Sequence, residues 1–139
     1  MKKYKKKFKR KKILLDMTCS IIHHGHIRII NKASKFGDLY IGLTKDNDIK
    51  SKKKFIPEIK FKFRKEILEN IKNVKKVIPS NFEITQKFLD KNKIDILVQG
   101  SDYKNKRLFK NIKIITFPRT KNISSTIIRK LAKKNVERK

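Results

Sequence analysis

The chain has 139 residues, enough for one domain with a real core, and its 37% hydrophobic content lies below the globular average but above that of a disordered chain. Forty Lys and Arg against twelve Asp and Glu give a net charge of +28, which alone would suggest nucleic acid or an anionic membrane. No apolar run reaches the roughly 18–20 residues of a membrane span. The basic N-terminus is not followed by an apolar signal region, and the single cysteine, Cys19, excludes an intrachain disulfide. A soluble, cytoplasmic protein is expected.

Lysine is spread over nearly every segment and travels with Ile and Asn, as in proteins of AT-rich genomes, so nucleic acid is not the expected partner. The same field would still attract a substrate with many phosphates. In chain order, residues 1–12 (MKKYKKKFKRKK) read as a basic mobile arm and residues 13–139 as a single domain. Ile13-Leu14-Leu15 leads to Met17 as a buried first strand. Ile27, Ile30 and Ala33 recur at helical spacing between His24 and Phe36, with Gly37 as C-cap. Leu39 to Leu43 reads as a second strand, and residues 44–59 as a basic loop with a short helix.

Phe63, Ile67, Leu68 and Ile71 mark a helix over 60–72. Val74, Val77 and Ile78 follow as a third strand that Pro79 stops. Ile84, Phe88 and Leu89 stripe a helix, and Ile94, Ile96 and Val98 form a fourth strand running into Gln99-Gly100-Ser101-Asp102. Ile112, Ile114, Ile115 and Phe117 form a fifth strand, and a last helix starts from Ile123. Strands alternating with helices predict an α/β fold: a Rossmann-like, doubly wound sheet of about five parallel strands with helices on both faces. Ligands of such sheets bind beyond the carboxyl ends of the strands. The polar clusters at 16–26, 99–104 and 119–126 all follow strands and mark the expected site.

His23-His24-Gly25-His26 sits where the first strand hands over to the first helix. A helix N-terminus favours phosphate. His23 and His26 can face the same way, Gly25 removes a side chain, and Thr18 offers a hydroxyl nearby. Read from the residues alone, the cluster suits phosphate, a metal ion or a solvated turn. A closed four-ligand zinc site is disfavoured, because the chain has no other histidine and Cys19 has no partner cysteine.

The HHGH stretch resembles the HxGH signature of the nucleotidyltransferase superfamily. Thr18, Phe36-Gly37-Asp38 and Ile41-Gly42-Leu43 resemble the opening of its cytidylyltransferase family, in both glycerol-3-phosphate and phosphonate types. Phe63-Arg64-Lys65-Glu66-Ile67-Leu68-Glu69-Asn70-Ile71 is similar to that family's second helix, and Gly100-Ser101-Asp102-Tyr103 to its Gly-Asp-Asp-Trp type turn. Arg119-Thr120-Lys121-Asn122-Ile123-Ser124-Ser125-Thr126 is similar to its RTxGIST[TS] motif. The resemblance spans about residues 13–131. In three places the chain departs from the family's pattern. Ser20 stands where the family has the Asp of Gly-x-Phe-Asp, Ser101 replaces the first Asp of the turn, and Asn122 replaces a Gly, Asn being the residue that next best tolerates φ > 0.

The resemblance implies attack by a phosphate or phosphonate oxygen on the α-phosphorus of CTP, expelling pyrophosphate. Catalysis then consists of alignment and charge neutralisation. It gives His23 and His26 the triphosphate, Lys53 and Lys54 (with Lys52 leaving the register ambiguous by one) a phosphate contact, and Arg119 a reach to the phosphates. Met17, Thr18, Gly25, Gly100, Asp102, Thr120, Ile123, Ser124, Ser125 and Thr126 fall to the nucleotide, and Arg64 either to a substrate or to orienting the loop. Mg²⁺ is expected with CTP, without a protein carboxylate as ligand. A small phosphorylated alcohol as acceptor and a homodimer are likewise implied. The alternatives are an adenylyltransferase of the same fold, as in the archaeal-type FAD synthetases, and a non-catalytic basic nucleic-acid-binding protein on this scaffold.

Overall fold

Apolar runs bounded by polar turns build ten elements in a computed structural model that describes residues 9–101 and 108–137. They are β1 (Lys12–Met17), α1 (His24–Ser34), β2 (Asp38–Thr44), α2 (Asp46–Lys53), α3 (Phe61–Glu69), β3 (Val74–Ser80), α4 (Gln86–Lys91), β4 (Ile96–Gly100), β5 (Lys113–Phe117) and α5 (Ser125–Glu137). The five strands pair in the order β3-β2-β1-β4-β5, every pair parallel. The chain winds outward from β1 to β3, then returns to lay β4 on the other side of β1. The carboxyl ends of β1 and β4 therefore flank the switch point, where such sheets open a crevice.

Both faces are covered, as parallel sheets require. On one face Ile30 and Ala33 of α1 and Leu68 of α3 pack on Ile13, Leu15, Ile41 and Val98. On the other, Leu89 of α4 packs with Leu14, Ile84 and Leu97. No helix among the described residues is long and apolar enough to cross a membrane.

Three local expectations change. β3 runs through Pro79 to Ser80 instead of stopping. It lies at the sheet edge, where the N–H that proline lacks is dispensable. Gly37 is not the cap of α1, which ends on Lys35 in right-handed helical conformation. Its role is close approach: a Cβ there would lie 2.2 Å from the Lys11 carbonyl oxygen. The short helix expected in the basic stretch after β2 is the two-turn α2, with Asp46 and Asp48 at its start and lysines at its end, complementing the helix dipole. Lys12, counted with the arm, is the first residue of β1, and its N–H donates to the Asp95 carboxylate at 2.8 Å.

Candidate active site

The turn after β1 is shaped by two arginines. Cys19 adopts φ 53°, a left-handed kink. The carbonyl of Thr18, just before it, accepts from Arg64 Nη1 at 2.7 Å. Arg64 is fully buried; its guanidinium also donates to the carbonyls of Ile59 (2.9 Å) and Thr44 (3.0 Å) and to Asp46 Oδ1 (2.6 Å). With four of its five N–H groups bonded to protein acceptors, Arg64 fits the loop-orienting role of the two expected for it. It ties the end of β1 to the start of α2 and of α3, where Asp46 also accepts from the Phe61 N–H. Met17 is buried at the end of β1, and its carbonyl accepts from the Thr44 hydroxyl at 3.3 Å.

His23 is the N-cap of α1. Its Nδ1 accepts from the Gly25 N–H at 3.1 Å, and His26 Nδ1 accepts from the His23 N–H at 3.2 Å, a reciprocal capping box made of two imidazoles. The rings lie 3.9 Å apart. An Nδ1 that accepts a bond carries a lone pair, so each neutral ring has its proton on Nε2. Burial holds His26 well below the usual histidine value, at about 4, helped by the charges of His23 and Arg119. Burial, then His24 and Arg119, lower His23 as well. The turn therefore presents two neutral Nε2–H donors at neutral pH. His24 is exposed, its ring edge-on to that of His23 with centres 6.2 Å apart.

The RTKNISST segment closes on the same turn. Asn122 takes φ 64°, the left-handed conformation its place demanded. A Cβ on Gly25 would stand 2.9 Å from the His23 ring and 3.2 Å from Ile123 Cγ2. The missing side chain thus makes room for Ile123 and the imidazole, joining the two motifs. Ser124 caps α5, its hydroxyl accepting from the Ile127 N–H at 3.1 Å. The first amides of α5, at Ser125 and Thr126, have no intrahelical acceptor. Ser125 Oγ donates to the Ile21 carbonyl at 3.3 Å, docking this helix start beside that of α1. Arg119 is exposed and Thr120 half-buried, and Arg119 lies near enough to depress both histidines.

Gly100 ends β4 in register with Phe117; Asp102 lies outside the described residues. Lys53 closes α2, with Nζ 5.8 Å from the Phe82 ring centre. Its charge is felt by Asp16 at the end of β1, whose carboxyl burial pushes up to about 7 against Ser80 and Lys53, which lower it. Lys54 follows in left-handed conformation at φ 62°. No three His, Cys, Asp or Glu side chains gather as a metal set among the described residues. The site is made of donors: imidazole N–H groups, ammonium and guanidinium groups, and helix amides. Sequence reading missed Glu58 and Arg129, which pair across the loop and α5; partners separated by 71 positions leave no local signal.

Two helix starts and a field of cations at the switch point of a parallel sheet form the architecture of a protein that handles nucleotide phosphates. The chain belongs to the cytidylyltransferase-like family, whose model matches residues 18–131. It is 36% identical over 125 residues to the glycerol-3-phosphate cytidylyltransferase of Bacillus spizizenii, covering 86% of this chain and 95% of that one. The Staphylococcus aureus enzyme of the same name is 32% identical over 125 residues, covering 86% and 92%. In fold it resembles the lipopolysaccharide core biosynthesis protein of Thermoplasma volcanium, with TM-score 0.69 at 20% identity over 79% of this chain and 98% of that one. The chain is thus an enzyme of the nucleotidyltransferase class, a cytidylyltransferase.

Proposed function

We propose that the enzyme transfers CMP from CTP to glycerol 3-phosphate. An acceptor phosphate oxygen forms the bond to the α-phosphorus, and the bridge to the β-phosphate breaks. Pyrophosphate leaves with the electron pair. The observation that carries this reading is the reciprocal cap of His23 and His26, which fixes two Nε2–H donors where the triphosphate would lie. Donors set in place before the reaction stabilise charge as it develops without reorganising. Lys53, Lys54 and Arg119 add positive charge, the starts of α1 and α5 add amides, and Met17, Thr18, Gly100 and Thr120 border the nucleotide. Mg²⁺ would come bound to CTP and offset triphosphate charge; no three His, Cys, Asp or Glu side chains gather to hold it among the described residues. The enzyme acts in the cytoplasm as a homodimer.

Pyrophosphate release is the test, with CTP or ATP against glycerol 3-phosphate, phosphocholine, phosphoethanolamine and a hydroxyalkylphosphonate. Release with CTP and glycerol 3-phosphate is expected. Turnover of ATP instead would overturn the choice of base, and a preference for another acceptor the choice of alcohol. Salt-dependent binding of nucleic acid with no turnover would overturn the enzyme reading of the site. Light scattering that finds an active monomer would remove the dimer.

A further inference from the structure

α5 has no buried residue, and Leu131 and Val136 on it are exposed. A helix that gives so little to the core must be held by polar contacts. They converge on Arg129. Its Nε and Nη2 donate to the two oxygens of Glu58, the latter at 2.9 Å, a two-pronged geometry stronger than a single ion pair. Nη2 also donates to Ser20 Oγ at 2.9 Å, and the guanidinium lies over the Phe55 ring, 4.6 Å from its centre. Glu58 sits just past Lys54, and Ser20 just before His23. One side chain of α5 therefore grips the lysine segment and the HHGH turn together. At Ser20 the resembled family has an acid; here the carboxylate comes from Glu58.

We infer that Arg129 is a positioning residue: held by Glu58 and Ser20, it keeps the start of α5 in register with the HHGH turn and the α2–α3 loop for the CTP triphosphate. This rests on the activity proposed above. It acts through the backbone it fixes, without touching the nucleotide. A carboxylate at either position 58 or position 20 can serve it.

The test uses Glu58→Gln, Arg129→Met, their combination, and Ser20→Asp combined with Glu58→Gln. Each single variant should raise the KM for CTP about tenfold, the loss of one charge-assisted contact, with kcat and melting temperature moving less. The combination of Glu58→Gln and Arg129→Met should be no worse than either alone. Ser20→Asp should bring Glu58→Gln back to within about threefold of the parent KM. Unchanged KM in the single variants, or additive losses in their combination, would overturn the inference, as would failure of a folded Ser20→Asp variant to rescue. Should the parent release no pyrophosphate from CTP, the proposed activity falls, and hydrogen exchange still tests the latch. Glu58→Gln should then speed exchange over residues 125–131 while leaving α1 unchanged; equal exchange in both proteins overturns it.

Discussion

The starts of α1 and α5 face the same crevice and are secured in opposite ways. α1 is anchored by Ile30 and Ala33, both fully buried in the sheet's core, and is capped by its own histidines. α5 buries nothing fully and is fastened by Ser125, Arg129 and the Ser124 cap. The first anion cradle is part of the fold, so its geometry is inherited from the core's packing. The second is a docked piece, whose register can be shifted by a single polar change. Charge stabilisation should therefore depend most on α1, and nucleotide affinity most on α5.

The sharpest way to break this comparison is at the histidines. His23→Ala or His26→Ala should each lower turnover of CTP by about 10²–10³-fold, the cost of one preorganised donor, with CTP binding weakened less. His24→Ala should be mild. The check is pyrophosphate release per folded molecule, with melting temperature followed in parallel. Equal effects at all three histidines would remove the distinction.

Arg64→Met should cost about 3 kcal/mol of stability in denaturant unfolding, because it strands the buried carbonyl of Thr44 and the half-buried one of Thr18. The β1–α1 turn should loosen, and α5 with it, since α5 docks on that turn.

A pH series sharpens the comparison further. Burial keeps His26 neutral in the fold down to about 4, whereas the unfolded chain takes up that proton near 6.5. Between those values the unfolded state binds more protons, so acidification from pH 6.5 to 4 destabilises the fold, with no further loss from this group below. Asp16 acts in the opposite sense. Its carboxyl titrates at about 7 instead of 3.8, so the fold holds a proton the unfolded chain has lost, and acidification through that window stabilises. The two offset each other. Asp16→Asn should make acid more damaging, by up to about 1.4 kcal/mol per pH unit, and His26→Ala should make it less so. Denaturation midpoints between pH 7 and 4 decide this. Last, Ser124→Ala should cost about 1 kcal/mol, read as a higher KM for CTP with little change in the exchange of α1.

Much of this was legible in the residues. Five parallel strands followed from apolar runs such as Ile13-Leu14-Leu15, and the left-handed turn at Asn122 from its standing in a glycine's place. The HHGH turn announced itself by motif. The short helix of the basic stretch was expected but not its bounds, because only Ile49 anchors α2 and its two turns carry no apolar stripe. Pro79 misled because a sequence does not say which strand lies at an edge. For Arg64 the sequence left a substrate and the loop as alternatives, since nothing local marks the carbonyls of residues 18 and 44 that converge on it. Arg129 and Ser20 meet across 109 positions, a distance only the fold closes.

Cys19 stands between two gripped neighbours, Thr18 by Arg64 and Ser20 by Arg129. Its thiol is sealed and pushed up to about 12 by burial, so the reactive thiolate is scarce at neutral pH. With no second cysteine in the chain, this sulfur becomes a clock built into the catalytic turn. An alkylating reagent can mark the protein only while that turn is open, and the labelling rate counts those openings one molecule at a time.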